Sequence, residues 1–122
     1  MNPLLILLLL ALLQTKHLVV DWCWQTPYEL DNKGKYLHWG GIQHAAKHAI
    51  STGICFVAFS PHMALAAVVI DFLAHYHIDW AKMNLNTYWQ LHPLHHAKFW
   101  WLMGADQWAH QMTYLLLTLL VF

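Results

Sequence analysis

The sequence predicts an all-α membrane protein: a single domain over residues 1–122 in which four transmembrane helices form an antiparallel bundle. Hydrophobic residues make up 59% of the chain and charged residues only 10%, whereas an ordinary soluble domain carries ~25% charged residues. Four stretches have close to the ~20 residues needed to cross a bilayer. The formal net charge is zero, and a nucleic-acid partner is therefore not expected, since such domains are usually basic.

The predicted spans cover about residues 3–24, 42–60, 61–82 and 100–122. The first begins with the almost purely apolar "PLLILLLLALL" and lacks a basic leader, so we expect it to be retained rather than cleaved. The second is the least hydrophobic, because three basic residues lie in its first turns. Pro61 is a favoured residue at a helix start, which predicts a tight hairpin between the second and third spans.

Two long polar connections, residues 25–41 and 83–99, set the expected orientation. They carry Lys33, Lys35 and Lys98, with Lys82 at the border, whereas the termini and the short turn carry no lysine. The positive-inside rule places lysine-bearing loops in the cytoplasm. We therefore expect both loops there and both termini on the periplasmic side. The tryptophans near these loops are typical of an interfacial aromatic belt.

Ionisable residues recur in pairs four positions apart within each span. Residues at i and i+4 lie on one face of a helix, one turn apart. Each pair also falls at the end of its span that adjoins the long loops, so we expect the pairs to meet at one depth inside the bundle. The residues of this set, which we predict as metal ligands, are His17, Asp21, His44, His48, Asp71, His75, Asp79, Asp106 and His110.

A divalent metal ion would compensate these buried groups. An aspartate or lysine at the centre of a span costs ~2.5–3.5 kcal/mol on insertion scales and normally has a partner. Zinc is the first expectation and manganese or iron the alternatives, because these ions accept imidazole and carboxylate together. Four aspartates offset by Lys47 and Lys82 would leave two negative charges, enough for one ion. If the lysines turn to water, two ions would be balanced.

Two other interpretations of the same residues stay open. Asp–His and Asp–Lys hydrogen bonds alone can hold four helices together as a structural network. Intramembrane chains of aspartate and histidine also serve as proton or ion pathways. The outer halves of the first and fourth spans, "LLILLLLALL" and "LLLTLLVF", are almost entirely apolar, which favours a closed site over a pathway.

Five blocks of sequence resemble a known family: "KHLVVDWCWQT" (16–26), "NKGKY" (32–36), "HAAKH" (44–48), "DFLAHYHIDWAK" (71–82) and "DQWAHQ" (106–111). In order and spacing they are similar to the family called domain of unknown function 3307, small bacterial and phage membrane proteins. The resemblance implies a four-helix membrane protein of the bacterial inner membrane, and it implies no particular activity.

The sequence favours a metal-dependent hydrolase that acts at the cytoplasmic leaflet. A metal ion lowers the pKa of a bound water toward ~7 and so supplies hydroxide at neutral pH. The predicted catalytic residues are Asp71, Asp79, Lys82 and Lys47, with the lysines steadying an anionic oxygen of a lipid-like or phosphate-bearing substrate. The alternative is a non-catalytic phage or bacterial membrane protein that modifies the host envelope or blocks superinfection by contacting a host membrane protein. In that case the polar residues only fix the bundle.

Overall fold

Every regular element in the structure, a computed structural model that describes residues 2–121, is helical, and no strand occurs in that range. The all-α prediction is confirmed. The elements are α1 (Pro3–Leu18), a π-helical turn (Val19–Cys23) that continues it, α2 (Pro27–Asn32), α3 (Trp39–Val57), α4 (Pro61–Tyr88) and α5 (Ala97–Thr118).

One helical stretch, Pro3–Cys23, is long and apolar enough to cross a membrane, and within the described residues no other helix meets the same test. It lies near the N-terminus, where signal sequences also have this length and composition. This finding covers the first of the four predicted spans. The other long helices carry the polar residues of the predicted site, which lower their hydropathy.

The four long helices form a ring in which α1 packs against α3 and α5, and α4 packs against the same two helices. Leu9 near the start of α1 shares a buried cluster with Phe56 at the end of α3 and Leu117 at the end of α5. Ala64 and Ala67 at the start of α4 join this cluster. Neighbouring helices in the ring are therefore antiparallel.

The interior of the bundle is divided into an apolar half and a polar half. Leu9, Phe56 and Leu117 belong to the apolar half, and Tyr114 borders the polar half. The polar half contains buried histidine, aspartate and lysine side chains from all four long helices. Polar residues are thus concentrated at one depth, at the end of the bundle where the two long connections lie.

The helix bounds differ from the predicted spans at the polar end. α3 begins at Trp39 because the side chain of His38 caps it, accepting a hydrogen bond from Gly40 N (3.1 Å). α4 continues to Tyr88, and the chain then turns at Gln90, whose φ is +51°. The segment 83–88, predicted as part of a loop, is therefore helical.

The first long connection, predicted as a loop, contains a short helix. α2 begins with a capping box: Thr26 accepts from Glu29 N (3.2 Å), and the Glu29 carboxylate accepts from Thr26 N (2.7 Å). Pro27 occupies the first helical position, which it favours. The pattern Thr-Pro-x-Glu is a helix-start signature and was present in the sequence.

A glycine sets the separation of α3 and α4. A Cβ atom placed on Gly53 would lie 2.5 Å from Cγ2 of Val68, whereas a Cβ on Gly104 in α5 would meet no atom within 4 Å. Valine is restricted in χ1 within a helix, so Val68 cannot easily move aside.

We therefore expect Gly53→Ala to destabilise the protein relative to Gly104→Ala by about 1–3 kcal/mol, the usual cost of overpacking. Both substitutions add the same methyl group and gain the same helix propensity, so their difference isolates the helix contact. Thermal unfolding in mild detergent measures it. Equal stability of the two variants would show that α3 and α4 are not in close contact here.

Candidate metal centre

Aspartates and histidines from the four long helices meet in the polar half of the bundle. The π-helical turn after α1 carries Asp21, and α3 carries His44 and His48. α4 supplies His75 and Asp79, and α5 supplies Asp106 and His110. Such π-helical turns are rare and often occur at functional sites.

The first group of potential ligands surrounds Asp21. Its Oδ1 atom lies 2.8 Å from His48 Nε2, 3.2 Å from His44 Nε2 and 4.0 Å from His75 Nε2. The ligand atoms of these four residues lie within 4.8 Å of one another, close enough to hold one metal ion. The His48 and His75 rings are stacked, with their centroids 3.6 Å apart.

The second group consists of His75, Asp79 and His110. Asp79 Oδ2 lies 3.2 Å from His44 Nε2 and 3.5 Å from His75 Nε2. Asp79 Oδ1 accepts from His110 Nε2 (3.2 Å), and Asp106 Oδ1 lies 3.5 Å from the same nitrogen. His75 belongs to both groups, because its Nε2 lies between the carboxylates of Asp21 and Asp79. The two groups therefore overlap and do not form separate sites.

Several of these atoms approach one another without forming hydrogen bonds. Both ring nitrogens of His44 and of His75 and Asp106 Oδ1 are buried and have no hydrogen-bond partner among the described residues, and Asp79 Oδ2 is paired only with the Lys33 ammonium. Buried polar atoms are normally satisfied. Four ligands around a zinc ion at ~2.0–2.1 Å would be spaced ~3.3 Å apart in a tetrahedron. The separations of 3.2–3.5 Å about His44, His75 and Asp79 fit that arrangement.

Lys33 brings a positive charge from the connection after α2 into the polar half. Its Nζ lies 3.1 Å from Asp79 Oδ2 and donates to Gln25 Oε1 (2.9 Å). Burial works against the charged ammonium, but Asp79 and Asp21 outweigh it and raise the pKa of Lys33. Asp21, Asp79 and Asp106 carry three negative charges and Lys33 one positive, which leaves two negative charges. One divalent cation would balance them.

His17, predicted as a ligand, belongs to neither group. Its Nδ1 accepts from Tyr114 OH (2.7 Å), and its Nε2 faces Gln107 Oε1 and Asp21 Oδ2, each at 3.1 Å. Both ring nitrogens are therefore used in hydrogen bonding. His17 orients the Asp21 carboxylate, a supporting role that residues behind a metal site commonly have.

Asp71, predicted as a ligand and catalytic residue, also lies apart from the two groups. Asp71 accepts from Lys16 Nζ (2.9 Å) and from Thr52 Oγ1, and it lies outside both groups. At a rise of ~1.5 Å per residue, eight residues separate Asp71 from Asp79 by ~12 Å along α4. The two carboxylates of one helix face therefore lie at different depths.

The two lysines predicted as catalytic have different positions. Lys47 points away from the centre: its Nζ contacts Glu29 Oε1 (2.7 Å) and donates to Trp24 O (3.0 Å). Its predicted catalytic role is not supported, because Glu29 already neutralises it. Lys82 lines a cavity together with Asp21, Lys33 and Asp106, beside the predicted ligands.

Sequence reasoning missed Lys16, Lys33, Glu29 and Tyr114. Lys16 precedes His17 within the first predicted span, and an ionisable residue in such a span normally has a partner. Lys33 lies in a connection, where no helical periodicity indicates which residues it contacts. The partner of Glu29 depends on how α2 packs against α3, and no local pattern reveals that packing.

The Glu29 carboxylate joins α2 to α3 and is fully buried. It accepts from Thr26 N, from Gln43 Nε2 (3.1 Å) and from Lys47. Burial alone would raise its pKa, but the hydrogen bonds from Lys47, Thr26 and Gln43 outweigh burial and hold the pKa below its ordinary value of 4.5. The interaction thus favours the folded state while Glu29 is ionised.

Comparison of the chain with protein-family models, with curated proteins and with solved structures found no match. The resemblance to the family called domain of unknown function 3307 therefore stays a prediction. The assignment of the site rests on its geometry and charge alone.

We expect Asp71→Asn to lower the free energy of unfolding by about 3–5 kcal/mol, because it leaves the Lys16 ammonium buried without its counter-charge. Metal content should not change. The double variant Lys16→Met, Asp71→Leu removes both charges and should recover most of the stability. Thermal unfolding measures the stability, and metal analysis measures the metal content. Loss of metal at unchanged stability would instead make Asp71 a ligand.

The depressed pKa of Glu29 predicts a pH dependence. Its stabilising contribution is fully present above about pH 4.5, the ordinary pKa, and is lost as the pH falls further toward the lower pKa of the folded state. When the pH is lowered below about 4.5, the melting temperature of Glu29→Gln should therefore fall less than that of the wild type. Asp31→Asn, at an exposed position, is the control and should leave the profile unchanged. Identical profiles for all three proteins would contradict the assignment.

Proposed function

We propose that this protein is a membrane-embedded metalloprotein that hydrolyses a phosphate-bearing, lipid-like substrate at the cytoplasmic leaflet. The convergence on Asp79 of buried atoms of His44, His75 and Asp106 that have no hydrogen-bond partner carries the proposal. A hydrogen-bonded structural network would satisfy these atoms, whereas a metal site requires them to aim at a common point. The charge balance around these atoms favours one divalent ion. Zinc is the first expectation, and manganese or iron are the alternatives. A second ion would require the Lys33 ammonium to leave Asp79.

The proposed membrane setting has four spans in the bacterial inner membrane. Large apolar side chains are exposed on all four long helices, among them Leu7 (62%), Ile54 (69%), Leu65 (74%) and Leu116 (64%). Soluble monomers rarely expose extensive apolar surface of this kind. The lysine-bearing connections would face the cytoplasm and both termini the periplasm, as the positive-inside rule expects. α4, at ~42 Å, would extend beyond the ~30 Å hydrocarbon core.

In this proposal the residues of the chain have distinct roles. Three or four residues of the two overlapping groups, drawn from Asp21, His44, His48, His75, Asp79 and His110, would hold the ion and leave a coordination position for water. When bound, a divalent ion supplies Lewis acidity and makes water a better nucleophile at neutral pH. Asp106 Oδ1, buried without a hydrogen-bond partner, would accept the proton released by that water. Lys82 would neutralise an anionic oxygen of the substrate.

Metal analysis of the purified protein tests the proposal first. We expect about one equivalent of zinc, manganese or iron by inductively coupled plasma mass spectrometry, from protein prepared without a chelator or a histidine tag. His75→Ala should lose the metal, because His75 belongs to both ligand groups. His95→Ala changes an exposed histidine outside the site and should keep it. Absence of metal from the wild-type protein after reconstitution would rule out the metal centre.

Turnover is tested in the same preparation with lipid phosphoesters in mixed micelles. Asp106→Asn should lower kcat by ~10²–10⁴, the usual contribution of a general base, while retaining the metal. Retained turnover in this variant would remove the proposed role of Asp106. Retained metal without turnover on any phosphoester would leave a metal-binding protein and exclude the hydrolase.

A non-catalytic membrane interaction protein is the second candidate, and specific contacts favour it. The ion pairs Lys16–Asp71 and Lys33–Asp79 and the hydrogen bond from His48 to Asp21 already stabilise the bundle without any ion. In that case the polar half would serve only to fix the four helices against one another, and the apolar outer faces would contact a partner membrane protein. The metal analysis distinguishes the two candidates.

A further inference from the structure

A cavity of about 210 Å³ adjoins the candidate metal centre. Asp21 and Asp106 lie in its wall, so it reaches the predicted ligands directly. Lys33 and Lys82 also line it, one from the connection after α2 and the other from α4. The cavity thus combines two ammonium groups with one edge of the metal centre.

The two ammonium groups have unused donors. Lys82 is partly buried and has no hydrogen-bond or ion-pair partner within residues 2–121. Lys33 has two partners, Gln25 and Asp79, whereas an ammonium group can donate three hydrogen bonds. Polar groups shielded from water normally find partners. Two cations with free donors that face one cavity indicate an anionic ligand.

The charge of the region depends on the metal. Lys82 adds one positive charge to the two negative charges that Asp21, Asp79, Asp106 and Lys33 leave, so with neutral histidines the metal-free region carries one net negative charge. A divalent ion reverses this to one net positive charge. Because the ion adds two positive charges, an anion would be bound more tightly in its presence.

We infer that this cavity is the subsite for the phosphate group of the substrate, which Lys82 and Lys33 would hold beside the metal centre. The inference rests on the proposed function. The volume is smaller than the ~300–1,000 Å³ typical of pockets for drug-sized ligands, so the cavity suits a headgroup and not a whole lipid. Trp22, Leu30 and Met103 supply apolar surface in its wall, against which the rest of an amphiphilic phosphoester can lie.

Binding of inorganic phosphate to the metal-loaded protein tests the subsite by isothermal titration calorimetry. We expect binding to the metal-loaded wild-type protein and much weaker binding to the metal-free form. Lys82→Gln should weaken it about tenfold or more, the effect of losing one charge-assisted hydrogen bond, while the metal content stays unchanged. Lys35→Gln removes an exposed lysine whose partner is Asn32 and should bind phosphate like the wild type.

The outcomes separate this inference from the proposed function. Metal without phosphate affinity, or equal affinity in Lys82→Gln and wild type, would overturn the subsite and leave the metal centre intact. Absence of both metal and phosphate binding would overturn both.

Competition then identifies the source of the phosphate. Displacement of inorganic phosphate by phosphatidic acid in mixed micelles, at lower concentration than by glycerol phosphate, would support a lipid headgroup. The reverse order would support a soluble phosphoester in the same subsite. Failure of both esters to displace phosphate would overturn a substrate site, because only the free ion would then fit.

Discussion

The burial of carboxylates among imidazoles at one end of the bundle is the constraint on which the rest of the structure depends. A buried carboxylate is strongly unfavourable without a counter-charge or hydrogen-bond donors. Asp79, only 3% exposed, has Lys33, His44, His75 and His110 around it. To provide these neighbours, α3, α4 and α5 and the connection after α2 must all approach the same point. The arrangement of the helices and the position of that connection follow from this requirement.

Asp21 imposes a similar requirement on α1. Its carboxylate contacts histidines of α1 and α3, and His17 is in turn held by Tyr114 of α5. The contacts of Asp21 therefore join the first helix to the remainder of the ring. The apolar half supplies general packing, which many hydrophobic residues of suitable volume can provide. The polar half, with its directional contacts, specifies which helix faces meet.

Much of this arrangement could be predicted because helical periodicity and depth are properties of the sequence. The pairs His44/His48 and Asp106/His110 lie on one face of their helices at any crossing angle, and the structure brings them together. The separation of Asp71 from both groups could also have been anticipated, because its distance along α4 from Asp79 already places it deeper. The partners of Lys16 and Lys33 depend on tertiary contacts over long sequence separations. No local sequence pattern encodes such contacts.

The ion pair between Lys16 and Asp71 has a consequence for the synthesis of the chain. Its two residues are 55 positions apart, so Lys16 is made well before its counter-charge exists. In the proposed membrane setting, α1 must remain beside the insertion machinery, or keep the ammonium near the interface, until α4 has entered. Lateral release of α1 into lipid and assembly of the bundle are then coupled. The nascent chain would reach its final topology by joint insertion of these helices and not by one independent insertion after another.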